Sequence, residues 1–301
     1  MVAFRKWLLL TYGVFGPMTL FIDAPFGRFT PSKDSPLLVD GIKAWMIMEI
    51  FAPVSFLCAF LACPLSSSDS PRRYSTYQLI LAGLFLAHYT NRAVISPLST
   101  PSRSKAHFLV PIAGCFFNVL NGSLLGSYLS SSMAFAFLEK QSRVIFYIGL
   151  VLWAAGFVGN VAHDEILLDL RRKANSSAHD HKNRSSSSVG GAGSTGEYYG
   201  IPYGLLYSLV SYPNYLCEWV EWFGFALAAA PFPHVDFARL PMSLSALLES
   251  PLSQSLTPPY IFLLLEFATM LPRAYKGHLW YRRKFGDSYP ANRKIVIPFL
   301  L

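Results

Sequence analysis

Charge is scarce in this chain. Only 14% of its 301 residues are Asp, Glu, Lys or Arg, while 52% are hydrophobic. Soluble domains carry about 25% charged residues, so an ordinary water-solvated domain is excluded for most of the length. Cysteine is scarce too. Cys58, Cys63, Cys115 and Cys217 all lie in apolar stretches and have neither zinc-site spacing nor a disulfide pattern. No GxGxxG follows a predicted strand, and there is no P-loop, so a nucleotide site would have to be built from helix ends and loops. No internal repeat is visible, and no small-x-small cleavage site follows the apolar stretch after Arg5-Lys6.

What is present is a series of long apolar runs, with a mean hydropathy of +0.36. The runs lie near 7–22, 41–63, 77–98, 106–129, 143–168, 204–230 and 255–275. Each is close to the ~20 residues that a helix needs to cross a bilayer. The expectation is an all-α polytopic membrane protein of seven transmembrane helices, one domain over residues 1–301. The formal net charge is +8. Most Lys and Arg fall in the loops after the first, third and fifth runs and in the C-terminal tail. The positive-inside rule makes that side cytosolic and accounts for the basic excess without nucleic acid. Residues 174–197 are Ser/Gly-rich and read as a disordered cytosolic insertion. On that side the sequons at Asn175 and Asn183 stay unused. His179 and His181, in so polar a stretch, are not read as a metal site.

Polar groups at membrane depth are costly and mark function. Glu49 lies inside the second run, and His88-Tyr89 inside the third. In the fifth, Asn160, Asp164 and Arg171 stand at i, i+4 and i+11. At 100° per residue these share one helical face. In the sixth, Asn214, Glu218 and Glu221 share a face in the same way. Two carboxylates in an apolar helix need donors opposite them. Pro213, just before them, is expected to break or kink that helix. The tail from Arg273 to Arg283 is basic and suits either anionic headgroups or the phosphates of a dinucleotide.

With these residues assembled, the chain resembles the steroid 5α-reductase family. The specific stretches are Asn214-Tyr215-Leu216-Cys217-Glu218-Trp219-Val220-Glu221-Trp222, Trp280-Tyr281-Arg282-Arg283-Lys284-Phe285, Tyr289-Pro290, and Arg293-Lys294-Ile295-Val296-Ile297-Pro298-Phe299-Leu300. Ala44-Trp45 with Glu49, His88-Tyr89 with Arg92, Asn121-Gly122, and Asn160 with Asp164 support them. The resemblance implies a seven-helix enzyme of the endoplasmic reticulum membrane with a cytosolic C-terminus. It implies hydride transfer from NADPH to an enone lipid, a 3-oxo-Δ4 steroid above all. It places Glu49 and Tyr89 at the substrate carbonyl. It places Arg103, Asn160, Asp164, Arg171, Tyr199, Asn214, Glu218, Arg273, His278 and Tyr281 around NADPH. Three positions depart from the family pattern: Met48 where Gln is frequent, Gly200 after Tyr199, and Gly277 beside His278 where a His pair is usual.

The residues suit those roles. Hydride attack on an enone puts negative charge on its oxygen, and a donor already aimed there in a dry site lowers the barrier. Tyr89 is such a donor. Glu49 either donates when protonated or, when ionised, accepts from Tyr89 and holds its ring. Two alternatives stay open: a reductase of enoyl thioesters or polyprenols, and a lipid-binding or transport protein without chemistry.

Overall fold

The computed structural model describes residues 36–65, 74–184, 200–234 and 255–301. The expected first span, 7–22, lies outside the described residues. The chain is mostly helical. After a two-residue strand β1 (Leu38–Val39) come α1 (Gly41–Ala62) and α2 (Thr76–Ser99). A second short strand, β2 (Ala106–His107), pairs antiparallel with β1, Leu38 opposite His107. Then follow α3 (Leu109–Leu129), α4 (Ser132–Lys140), α5 (Arg143–Arg184), α6 (Pro213–Ala229) and α7 (Pro258–Phe285).

Local chemistry accounts for these limits. Asp40 caps α1 by accepting from the backbone N–H groups of Ile42 and Lys43. Ser75 and Gln78 form a reciprocal capping box at the start of α2. Near its end α2 widens into a π-turn over Asn91–Ile95, a feature frequent at functional sites.

Among the described residues, four helices are long and apolar enough to cross a membrane: α1, α2, α3 and α5. The sixth run does not begin as a helix at 204. Residues 205–208 form a 3-10 turn, and α6 starts at Pro213, where proline is tolerated because the first N–H of a helix has no partner anyway. So Pro213 opens the helix and does not kink it. The N–H groups of Ser211 and Tyr212 instead meet the Ile295 carbonyl of the tail, at 3.1 and 3.0 Å. The last helix runs ten residues past 275, to Phe285. α5 continues to Arg184, over the first part of the segment expected to lack structure. No proline or glycine falls between Lys173 and Arg184 to interrupt its ladder. The rest of that segment, 185–197, lies outside the described residues. The nine-residue α4 has too short an apolar stretch to stand out in the sequence.

Helix pairs α1 with α3, and α5 with α6, pack along their lengths. At the second interface a Cβ on Gly156 would collide with the Glu221 N–H and Cys217 carbonyl. Glycine there lets two backbones approach as small residues do between membrane helices. Phe56 and Phe85 stack 4.2 Å apart, and Trp222 meets Phe262 edge-on at 4.6 Å. These aromatics join α1, α2, α6 and α7 into one apolar core.

Candidate functional site

The polar faces read from α5 and α6 meet. Asn160 donates to Glu218 Oε2 at 3.1 Å and to the Asn214 carbonyl at 3.2 Å. Asn214 donates to Asp164 Oδ1 at 3.0 Å. Glu221, fully buried, binds His88 Nδ1 at 2.7 Å across to α2. Each carboxylate of the α6 stripe therefore meets a polar partner, while Glu221 Oε2 has none among the described residues.

The link to the rest of the molecule is Arg92, in the π-turn of α2. Its Nε lies 3.3 Å from Glu49 Oε1 on α1, and its Nη1 lies 3.4 Å from Glu218 Oε1 on α6. One guanidinium thus serves two buried carboxylates from different helices. Its carbonyl also accepts from Trp45 Nε1 at 3.3 Å. Arg103 lies over the same indole, 4.0 Å from the ring centroid.

These groups surround a cavity of about 520 Å³. Glu49, Tyr89, Arg103, Asp164, Arg171, Asn214, Glu218, Arg273 and Tyr281 line it. Glu49 and Tyr89 lie deep. Gly41, eight residues before Glu49, touches Ser104 in the loop that carries Arg103, so the two sets are separated by about two helical turns. Tyr89 is 3% exposed, and its hydroxyl has no hydrogen-bond partner among the described residues. Glu49 therefore does not accept from Tyr89 here; its partner is Arg92. Asn160 stands behind the lining and reaches it through Glu218 and Asn214. His278 also stands back, with Nδ1 at 2.6 Å from Ser211 Oγ, which in turn meets the Tyr289 hydroxyl at 2.6 Å. Tyr199 lies outside the described residues.

Two observations bear on whether a dinucleotide fits. The cavity lining includes four cations, Arg103, Arg171, Arg273 and Lys276. Burial, with Arg171 and Arg92 close by, lowers the Arg103 pKa to about 10; an anion placed among these cations relieves the repulsion. Asn214 lines the cavity, and its buried Oδ1 has no partner among the described residues. It is an acceptor without a donor, of the kind an amide group satisfies. The set fits a phosphate-bearing ligand with an amide end.

Sequence reasoning assigned no role to Arg92 or to Glu266, which also lines the cavity. The available signal for Arg92 was its place three residues after Tyr89 on the same helix. Glu266 is a carboxylate inside an apolar run, a pattern that had already singled out Glu49.

Comparison with known proteins places the chain in a family. The family model for 3-oxo-5-alpha-steroid 4-dehydrogenase matches residues 105–179, 192–250 and 251–301. The chain is 39% identical to an uncharacterized protein of Schizosaccharomyces pombe, over 97% of this chain and 96% of that one. It is 31% identical to a steroid 5-alpha-reductase of Solanum lycopersicum, over 93% and 89% of the two chains. It is 30% identical to 3-oxo-5-alpha-steroid 4-dehydrogenase 1 of Rattus norvegicus, over 93% and 87%. The family model and these relatives show that the chain belongs to the 3-oxo-5-alpha-steroid 4-dehydrogenase family.

Proposed function

We propose that this protein reduces the conjugated C=C bond of an enone lipid, the Δ4 bond of a 3-oxo steroid, with NADPH as the reductant. One observation carries the reading: Glu49, Tyr89 and four cations, Arg103, Arg171, Arg273 and Lys276, line a single cavity. The cations hold the phosphates, and Asn214, Glu218 and Asp164 receive the amide end. Asn160 braces Glu218 and Asn214 from behind, His278 braces the Ser211 turn, and Tyr281 and Tyr199 complete the cofactor side. NADPH bound there supplies a hydride to the β-carbon of the enone.

Negative charge then grows on the carbonyl oxygen. Tyr89, with no other hydrogen-bond partner among the described residues, donates to that oxygen and gives it a proton. The resulting enol returns to the ketone when a proton reaches its α-carbon and its O–H proton passes back to the Tyr89 phenolate. Through its contact with Arg92, Glu49 anchors the turn that follows Tyr89 and orients the phenol. Burial of the whole set excludes water and strengthens each of these interactions.

In the same reading, residues 1–301 form one reductase domain in the endoplasmic reticulum membrane. Seven helices cross, and the C-terminus is cytosolic. The test is anaerobic NADPH oxidation by purified protein against 3-oxo-Δ4 steroids, sterol intermediates, polyprenols and enoyl thioesters. Oxidation with the steroids alone is expected. Turnover only with a thioester or polyprenol would move the assignment within the reductases. Absence of both turnover and NADPH binding would leave a lipid-binding or transport protein.

A further inference from the structure

Reduction of an enone consumes a proton at the α-carbon. Tyr89 serves the oxygen, which leaves the α-carbon without a donor. His88 precedes Tyr89 on α2, and both line the cavity. Their ring centroids are 5.0 Å apart. The α-carbon of an enone is two bonds from its oxygen, so an acid for that carbon has to stand close to the donor on the oxygen.

The imidazole is held firmly. Its Nδ1 lies 2.7 Å from Glu221 Oε1 on α6, and Trp222 meets the ring edge-on at 4.6 Å. His88 is 4% exposed and Glu221 is fully buried. His88 lines the cavity and Glu221 stands behind it, so Nδ1 faces away from the cavity and the Nε2 edge turns toward it. Nε2 has no hydrogen-bond partner among the described residues.

The charge of the pair decides what Nε2 carries. Glu221 Oε2 has no partner among the described residues, and His88 is the one described residue that forms an ion pair with Glu221. A net negative pair in this apolar core is costly. The neutral pair has two forms, imidazolium with carboxylate and imidazole with carboxylic acid. In the first Nδ1–H donates to Glu221; in the second Nδ1 accepts the Glu221 proton. Both leave a hydrogen on Nε2.

We propose that His88 is the acid that protonates the α-carbon, with Glu221 as the positioning residue that holds the ring and its second proton. Once the β-carbon has its hydride and Tyr89 has protonated the oxygen, the Nε2–H bond breaks. A C–H bond forms at the α-carbon with the electron pair of the enol C=C, and the enol O–H proton returns to the Tyr89 phenolate. His88 is left neutral, with Nδ1–H on the Glu221 carboxylate, and Nε2 regains a proton from water when the product leaves. Each C=C reduced takes one hydride from NADPH and one proton from solvent. The inference deepens the reductase reading and rests on it.

The test is reduction of a 3-oxo-Δ4 steroid with NADPH in D2O by full-length purified wild type, His88→Gln and Glu221→Gln. Single-turnover NADPH oxidation, ketone formation, NADPH affinity and the face of the α-carbon that gains deuterium are read. The wild type should label one face. His88→Gln keeps a donor for Glu221 but has no proton to transfer. It should form ketone about 100-fold more slowly, with hydride transfer less affected, NADPH affinity unchanged and deuterium on both faces, as for an enol released to water. Glu221→Gln should slow ketone formation about tenfold and keep delivery to one face. Wild-type label on both faces overturns the proposal. So does His88→Gln with undiminished ketone formation on one face, or with equal losses of hydride transfer and ketone formation, which would mean that the ring only positions Tyr89. If His88→Gln does not fold, Glu221→Gln decides, and undiminished ketone formation there overturns the proposal as well. Wild-type turnover with an indifferent His88→Gln rejects the acid and spares the reductase reading. No reduction of any 3-oxo-Δ4 steroid, sterol intermediate, polyprenol or enoyl thioester by the wild type rejects both.

Discussion

Arg92 Nε stands 3.3 Å from Glu49 Oε1, and through this pair the deep end of the cavity is tied to the polar stripe of α6. The same guanidinium reaches Glu218. Any change at one end is therefore felt at the other, because a single cation satisfies both carboxylates.

Replacing Arg92 by Met should leave two buried carboxylates without their cation. Breaking a buried pair from one side costs about 3–5 kcal/mol. The melting temperature in detergent should fall, and a second substitution, Glu49→Gln, should restore part of it. Equal melting of the wild type and Arg92→Met would remove Arg92 from its central place.

Tyr89→Phe removes the only hydroxyl assigned to the substrate oxygen and changes little else, since that hydroxyl bonds to no described residue. Turnover should fall about 100- to 1,000-fold, as for loss of one oxyanion donor, with NADPH affinity and stability unchanged. Glu49→Gln should lower kcat too, with some loss of stability because Arg92 loses an ionic partner. Full activity in both purified variants would reject the assigned roles.

Gly277 has no room for a side chain. A methyl there would strike the Tyr212 hydroxyl and ring. Gly277→Ala should destabilise by about 1–3 kcal/mol, the usual cost of overpacking. Adding Tyr212→Leu should recover much of the loss in a thermal unfolding series.

His278 lies past the expected end of the last membrane run, buried beside Ser211. Burial first, then Arg282 and Arg293, lowers its pKa below the usual value of 6.5. The unfolded chain then binds the proton more readily than the folded one. Stability should be full above about pH 6.5 and fall as the pH drops below it, toward the folded-state value. Thermal unfolding measured from pH 7.5 to 5 should show this slope, and His278→Gln should flatten it.

Much of the architecture was legible in the order of the residues. The runs that became α1, α2, α3 and α5 are long and apolar enough to announce themselves, because a helix in lipid must satisfy its backbone internally over the full thickness. The faces of Asn160 with Asp164, and of Asn214 with Glu218, followed from helical periodicity, and they do face each other. Terminal limits were less legible. Pro213 is compatible with either a break or a beginning. The choice of a beginning coincides with backbone bonds from Ser211 and Tyr212 to Ile295, far away in the chain.

The sequence by itself determined that this chain lies in a membrane, that its buried polar residues are too many for packing alone, and which of them share a helix face. Only the tertiary structure decided their partners. Arg92 serves both Glu49 and Glu218, and the Tyr89 hydroxyl has no hydrogen-bond partner among the described residues. The reason is physical. Periodicity is a property of one helix and sets the direction in which a side chain points. An ion pair between helices depends on their relative depth and rotation, which the packing of the whole core sets.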